Sequence, residues 1–529
     1  MNQQKNQRYL ILSMFVMFGF ILSGLFTLED YGMGWDEVVR WKSGDLKLAY
    51  YETLFSDEAE AVKEKMVRDR YPGLFDLPLA WFNKTFGGNR MVQGHVWSIL
   101  FGALGLMATG WLARIVFNAR TGFYAVGILA VLPLYYGHAM INPKDIPFTA
   151  TYTLGLASVL AIANKLSTGK RVPWLHFILC GVAIGAAGAS RVPGLVLIGF
   201  CAGTWTLATA FRLYQNEDSK QIPWQKIGHL AGAVGLSGLS AFITVLLFFP
   251  RAQMQLFSSL PDVATQLHSS AAKMPLLYGG QLMDASEGPI TYAHGFFMLS
   301  TPVWMLVLLV GGAIALGSSF RRNKRKRPHP FVMKILFLVT GLFPWIYILV
   351  THPALHDGMR HMLFAVPPLV VIMANAMDWM HAYLFRRNIK LIWIPGTVFG
   401  ICVVMQIQSL KQMHPYQYVS FNFLAGDRTT IPNRYESEYW CTSSKHLLEA
   451  LPAVATPGKD GSTVKVRISG ALDSARAFVP EGFQLVDSFE EADYYLANTY
   501  LRSDLYAEGQ VVYQIERGGI PIAVIKKLR

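Results

Sequence analysis

The stretch "LEDYGMGWDEVVRWKSGD", residues 28–45, places an adjacent acid pair, Asp36 and Glu37, just beyond the apolar run "YLILSMFVMFGFILSGLF". A carboxylate there can act as a general base, taking the proton of an acceptor hydroxyl as its oxygen attacks carbon. Adjacent carboxylates on a loop point in different directions, so one is the candidate base. Asp36 is assigned that part, with Glu37 orienting the loop or the acceptor. The plainer reading is a solvated acid pair near a membrane exit. Trp35 and Trp41 offer stacking faces for a sugar ring, although interfacial anchoring is the commoner use of such tryptophans.

Three further segments carry charge where charge is costly. In "GHAMINPKDIPF" two prolines, a Lys and an Asp interrupt an apolar region between two candidate spans, and such groups usually have partners or work to do. The expectation is a polar wall with His138, Asn142 and Asp145 facing a cavity and Lys144 reaching phosphate; the alternative is a Lys144–Asp145 pair capping a turn. "ASRVPG" carries Arg191, whose planar fork suits phosphate but which could equally snorkel to headgroups. "THPALHDGMRHMLF" gathers His352, His356, Asp357, Arg360 and His361. Its histidine spacing invites a zinc reading, but Pro353 and Gly358 oppose a helix and no acid-flanked zinc pattern is present. Arg360 and His361 are read instead as phosphate or headgroup ligands. No metal or other cofactor is implied, and no Gly-rich phosphate loop is found.

The elements that must position these residues follow from composition. Of 529 residues, 52% are hydrophobic and only 15% charged, against about 25% charged in a soluble globular chain. The class expected is a polytopic α-helical membrane protein, not a nucleic-acid binder: the net charge of +13 is read as Lys and Arg in cytoplasmic loops. Eleven apolar stretches are long enough to span a bilayer, near 9–27, 93–114, 121–138, 147–164, 172–189, 194–211, 227–249, 297–317, 331–351, 362–384 and 391–409. The first is too long for a signal-peptide core and lacks a cleavage site, and is read as an uncleaved span.

With the N-terminus cytoplasmic, the basic connections around Arg114 and Arg120, Lys165 to Arg171, Arg212 to Lys226, "RRNKRKR" at 321–327, and Arg386 to Lys390 all fall on one side. The acid pair and the other candidate residues then share the extracytoplasmic face. Residues 28–92 form a first outer loop, within which 56–88 reads as amphipathic helix lying in the interface. The chain divides into a transmembrane unit, 1–410, and a tail, 411–529, whose alternating runs and Gly518-Gly519 hairpin signal predict a small extracytoplasmic α/β domain. Four scattered cysteines signal neither a disulfide framework nor a metal cluster.

Taken in order, this layout resembles the GT-C superfamily of membrane glycosyltransferases, and most closely its bacterial protein O-mannosyltransferase and aminoarabinose-transferase branch, glycosyltransferase family 39-like. The resemblance rests on the first span followed by Asp36-Glu37, on "NPKDIPF" and "HDGMRHMLFAVPPL", and on "HPYQYVSFNFLAG" and "YESEYWCTSSKHLLEAL" after the last span. It covers about residues 8 to 450. It implies a polyprenyl-phosphate sugar as donor, transfer on the outer face of the plasma (inner) membrane with inversion, Asp36 as catalytic base and Asp145 as the second-loop acid. The acceptor is a carbohydrate, lipid or protein. The chain lacks a MIR-like insertion and a Trp-Trp-Asp motif, which places a protein acceptor in doubt. Other classes remain: a transporter or flippase for a lipid-linked sugar, with polar groups spread to the midplane; an oligosaccharide ligase using a lipid diphosphate; and a non-catalytic binding or assembly protein.

Overall fold

A computed structural model describes residues 2–215, 224–255, 271–326, 328–387, 393–456 and 463–529. Lys220 and Lys390 of the expected basic connections, and the side chains of the 321–327 block, lie outside that description. The architecture is a bundle of long apolar helices topped at one end by short helices and a small sheet unit.

The eleven expected spans divide into three kinds. Nine helices among the described residues are long and apolar enough to cross a membrane. A pair, Ala119–Ala130 and Pro133–Ile141, is long and apolar enough only when taken together and is bent by 68°, the form of a broken span or a re-entrant loop. Pro133 causes the break: it lacks an N–H for the ladder and biases Leu132 towards extended backbone, as its ψ of 115° shows. The eleventh, Trp174–Ser190, has only 17 residues. At 1.5 Å per residue it is about 26 Å long, at the lower limit for crossing a hydrocarbon core, and so shorter than the expected span over 172–189. Its small residues permit close approach to helix Trp224–Phe248, where Ser237 Oγ donates to the Phe177 carbonyl at 2.8 Å.

The first loop differs from its expectation in where it places the acid pair. Asp36 and Glu37 lie not on a loop but in the first turn of helix Trp35–Glu52. Glu37 Oε1 accepts the Gly34 N–H at 2.6 Å, satisfying a donor the helix end would otherwise orphan. The interfacial helices expected within 56–88 are two, Ala59–Met66 and Asp76–Phe86. The intervening chain turns inward at Asp69, which pairs with Lys47, and passes through Pro72-Gly73. Helix Asp76–Phe86 buries Leu79 and Ala80 and leaves Trp81 and Phe86 exposed, the amphipathic pattern of an interfacial helix.

The tail forms a five-stranded sheet in the order β4-β3-β5-β7-β6. The strands are β3 (Val464–Ile468), β4 (Phe483–Leu485), β5 (Tyr494–Asn498), β6 (Gln510–Arg517) and β7 (Ile520–Lys527); β1 (Pro275–Tyr278) and β2 (Gln281–Asp284) form a separate hairpin. β3 runs parallel to β4 and β5, whereas β7 is antiparallel to β5 and β6. Gly518 and Gly519, at φ of 55° and 82°, close the two-residue turn between Arg517 and Ile520, a conformation that suits glycine. Helix Ser443–Val454 buries Leu447, Leu448 and Leu451. Between the last long helix and this unit, Tyr416, Tyr418 and Trp440 are buried, and the Trp35 N–H donates to the Trp440 carbonyl at 2.9 Å. All four cysteines are free.

Candidate functional site

Helix Trp35–Glu52 begins against the segment that carries Trp440, which aims Asp36 at the other candidate loops. Asp36 Oδ2 lies 3.6 Å from Lys144 Nζ and 3.3 Å from Arg360 Nη1. Burial alone would raise the Asp36 carboxyl, but Lys144, Arg360, Arg40 and Arg191 override it and hold the group down at about 2. Lys144 Nζ also stands 4.4 Å from the centre of the Tyr71 ring, and Arg360 lies 5.2 Å from that of Trp440. These flat faces limit where the cations can swing.

Asp145 and Lys144 do not pair with one another. Asp145 pairs with Arg191, while Asn142 Oδ1 accepts the backbone N–H groups of Lys144 and Asp145 at 3.0 and 2.8 Å. Asn142 Nδ2 contacts Asp145 Oδ2 at 3.0 Å and His138 Nδ1 at 2.8 Å, and His138 Nε2 meets the Tyr439 hydroxyl at 3.0 Å. His138 and Asn142 are fully buried, so the expected open wall is corrected: both stand behind Asp145, where a chain of hydrogen bonds occupies their polar atoms.

The "HDGMRH" segment brings Arg360 and His361 to the same place. Asp357 adopts φ 57°, and its Oδ2 takes Arg360 Nη2 at 2.7 Å while its Oδ1 accepts the Tyr500 hydroxyl at 2.7 Å. His361 Nδ1 is 3.4 Å from Arg191 Nη1, and its ring meets that of His356 edge-on at 4.7 Å. His352 is turned away, against the Leu349 carbonyl. The three histidines therefore do not share a face, and among the described residues no His, Cys, Asp and Glu group is arranged to hold a metal. Arg360 Nε, His361 Nε2 and His356 Nδ1 are buried without a hydrogen-bond partner. Burial pushes the His356 ring down to about 4, assisted by Arg360 and Lys144 and opposed by Asp357, so His356 is neutral near pH 7.

Glu37 lies apart from this cluster, buried between the Gly34 N–H and His95 Nε2, the latter at 3.3 Å. Trp41 packs beside Arg90. Several participants escaped the sequence reading. Tyr71 and Arg40 belong to a first loop read for amphipathicity. Glu436 accepts the Asp357 and Gly358 N–H groups, each at 3.1 Å, and thereby fixes the turn before Arg360. Tyr500 arrives from the tail, far along the chain; only its aromatic type hinted at a role.

What this arrangement can do chemically is hold an anion beside a carboxylate. Five separate segments contribute Asp36, Lys144, Arg191, Arg360 and Tyr500, all gathered at one end of the bundle. Residues 72–248 match the family described as dolichyl-phosphate-mannose-protein mannosyltransferase, which is consistent with the GT-C membrane glycosyltransferase resemblance. The matched stretch includes Lys144, Asp145 and Arg191. A 136-residue stretch is 26% identical to dolichyl-phosphooligosaccharide-protein glycotransferase 1 of Pyrococcus horikoshii, covering 25% of this chain and 14% of that protein. Among solved structures, ArnT from Cupriavidus metallidurans bound to undecaprenyl phosphate aligns over 98% of each chain, with 13% identity and a TM-score of 0.49. The Archaeoglobus fulgidus oligosaccharyltransferase tethered with an acceptor peptide aligns over 91% of this chain and 64% of its own, with 11% identity and a TM-score of 0.48.

Proposed function

We propose that the protein is a membrane glycosyltransferase that moves a sugar from a polyprenyl-phosphate donor to an acceptor hydroxyl on the extracytoplasmic face. The observation that carries this reading is the Asp36 carboxylate flanked by Lys144 and Arg360 from two other loops, at 3.6 and 3.3 Å. The description of the matched family names a lipid-phosphate-linked sugar, which supports the donor class. The collection of charge at one end, instead of along the helices to the midplane, favours transfer chemistry over transport.

In this mechanism the lipid phosphate lies near the headgroups, where Lys144, Arg191, Arg360 and His361 meet its oxygens. Asp36 accepts the proton of the acceptor hydroxyl as that oxygen bonds to the anomeric carbon. The bond from that carbon to the phosphate oxygen breaks on the opposite face, its electron pair leaving on the polyprenyl phosphate, so the anomeric configuration inverts. Asp145 fixes the direction of Arg191, with Asn142 and His138 holding Asp145. Glu37 caps the helix that presents the base. Positioning supplies much of the rate enhancement in such a scheme. The transmembrane unit, 1–410, carries the reacting groups, and the tail, 411–529, covers them.

The test is Asp36→Asn in protein purified into lipid nanodiscs and supplied with a polyprenyl-phosphate sugar. Transfer is expected to vanish while the variant still inserts and unfolds cooperatively, at a somewhat lower midpoint; full turnover by the variant removes Asp36 as base. Cysteine labelling from each side checks the placement, with residues 36, 144 and 360 expected to react from outside.

A further inference from the structure

Between the bundle and the sheet unit lies a cavity of about 520 Å³, within the range of roughly 300–1,000 Å³ typical of small-molecule sites. Its floor is the cluster already described, entering through Arg360, Asp357, Trp35 and Tyr439. Its roof belongs to the tail: Arg467 from β3, Ser469 beyond it, and Tyr500 and Tyr506 from the turn after β5.

We propose that this roof is the acceptor subsite, and that it takes a sugar carrying an anionic group. This rests on the glycosyltransferase reading and names the acceptor chemistry for the same site. Three observations lead to it.

First, the cavity is walled by flat aromatic faces with polar edges. Trp35, Tyr439, Tyr500 and Tyr506 all line it, and such side chains present an apolar body and a hydrogen-bonding tip. A sugar ring has the matching surface, C–H faces and a hydroxyl rim.

Second, the charge on the walls is unequal. Asp357 is occupied, with one oxygen on Arg360 and the other on the Tyr500 hydroxyl. Arg467 has neither an ion pair nor a side-chain hydrogen bond among the described residues: its guanidinium lies 4.1 Å from the centre of the Phe489 ring, and the carboxylate that feels its charge, Glu490, is exposed to solvent. A stacked guanidinium keeps its N–H edge free for a carboxylate or phosphate. Arg360 at the floor serves the donor, so Arg467 is the cation available to the acceptor.

Third, the backbone that shapes the roof is held in unusual conformations. Leu501 and Arg502 follow Tyr500 with φ of 50° and 60°, and Asp357 opposite has φ of 57°. Left-handed backbone at three non-glycine residues costs free energy and persists only where the surroundings impose it, which concentrates at ligand sites. Arg502 contributes that restraint by donating to the Gly280 carbonyl at 2.7 Å.

The test uses the full-length protein in nanodiscs, with saturation-transfer NMR to glucuronate, glucose 1-phosphate and glucose, and native mass spectrometry to undecaprenyl phosphate. The two anionic sugars are expected to bind at least 10-fold more tightly than glucose. Arg467→Gln should remove that preference while undecaprenyl phosphate still binds. The ratio of the two anionic probes tells carboxylate from phosphate, and competition by inorganic phosphate alone would show that the sugar is not read. Tyr506→Ala, at an exposed position, should weaken all three sugars and leave the anion preference in place, which separates ring stacking from charge. Equal binding of glucose and the anionic sugars, or an unchanged preference in Arg467→Gln, overturns the proposal. Its failure is distinguishable from that of the catalytic reading: Asp36→Asn should abolish transfer yet still bind the anionic sugars.

Discussion

Asp36 and Arg360 stand 324 positions apart in the chain and meet at 3.3 Å. Arg360 is committed twice, to Asp36 through Nη1 and to Asp357 through Nη2, while Trp440 lies beside its guanidinium plane. The turn that presents it is fixed by Glu436, whose carboxyl takes two consecutive backbone N–H groups. The base, the cation and the tail are therefore one connected structure, since Tyr500 completes Asp357. A change at any of these points should be felt at the others.

Lys144 tests the anion-holding part of that structure. Its ammonium faces Asp36 and Tyr71 and otherwise the space assigned to phosphate. A hydrogen bond to a charged group contributes about 1.5–3 kcal/mol, so Lys144→Met should weaken polyprenyl-phosphate binding roughly 10- to 100-fold by the same principle. Lys144→Arg should retain most of it. Native mass spectrometry across a lipid titration reads both; unchanged affinity in Lys144→Met would place the phosphate elsewhere.

Much of this was legible in the sequence, for identifiable reasons. Apolar length revealed the spans, because nothing but hydrocarbon asks for twenty apolar residues in a row. Charge in "NPKDIP", "ASRVPG" and "HDGMRH" stood out because it was expensive where it lay. The pairing was not legible. Lys144 and Asp145 are neighbours that turn to different partners, since Asn142 bonds both backbone N–H groups and aims the side chains apart. Pro133 could be seen to disturb a span, but not to bend it by 68°. Tyr500 was invisible as a site residue, because its partner Asp357 is 143 positions away.

Lys47 offers a stability prediction outside the reacting groups. It is fully buried on helix Trp35–Glu52, paired with Asp69 and 3.8 Å from Asp76, which Arg40 also holds. Removing one partner of a buried pair typically costs about 3–5 kcal/mol, because a buried charge is left uncompensated. Lys47→Met should lower the unfolding midpoint sharply in a detergent melt. Adding Asp69→Asn should recover part of the loss, since the exposed deficit is the orphaned carboxylate.

Glu436 should tolerate loss of charge but not loss of its side chain. Burial pushes its carboxyl up, and the nearby Asp357 pushes it further. A neutral amide in its place keeps one oxygen for the Asp357 N–H and can turn its NH2 to the Tyr292 hydroxyl, which already accepts the Gly358 N–H at 2.8 Å, so Glu436→Gln should fold and keep measurable transfer. Glu436→Ala orphans the Asp357 N–H at about 1–3 kcal/mol, leaves the Gly358 N–H to the Tyr292 hydroxyl alone, and frees the turn before Arg360. Circular dichroism melts and transfer rates on the two variants should diverge.

Stability should peak on the acid side of neutral. Burial raises the Glu438 carboxyl to about 7, opposed by bonds from Tyr418, Thr442 and Ser443. A group raised in the folded state contributes stability below its unfolded value, lost as pH rises through the folded one, here between about 4.5 and 7. The loss is about 3 kcal/mol at 1.36 per pH unit. Asp36, depressed to about 2, acts in the opposite sense: its contribution, about 2 kcal/mol, is present above pH 4 and lost on acidification. Melting temperature against pH should fall towards pH 7 and above, and Glu438→Gln should flatten that side of the curve.

The rate should depend on pH differently in the free and loaded protein. With Lys144 and Arg360 beside it, the Asp36 carboxyl stays ionised down to about 2 and is a poor proton acceptor. A bound phosphate is an anion that competes for the same two cations. Both the nearby negative charge and the diverted cations favour the protonated carboxyl, so the Asp36 value must rise on donor binding. A base approaches its best efficiency as its pKa moves towards the working pH, so the donor itself would activate the base it needs. Because kcat/KM reports the free protein and kcat the complex, the acid limb of kcat should lie above that of kcat/KM. Superimposable limbs would mean that Lys144 and Arg360 keep their hold on Asp36 throughout turnover.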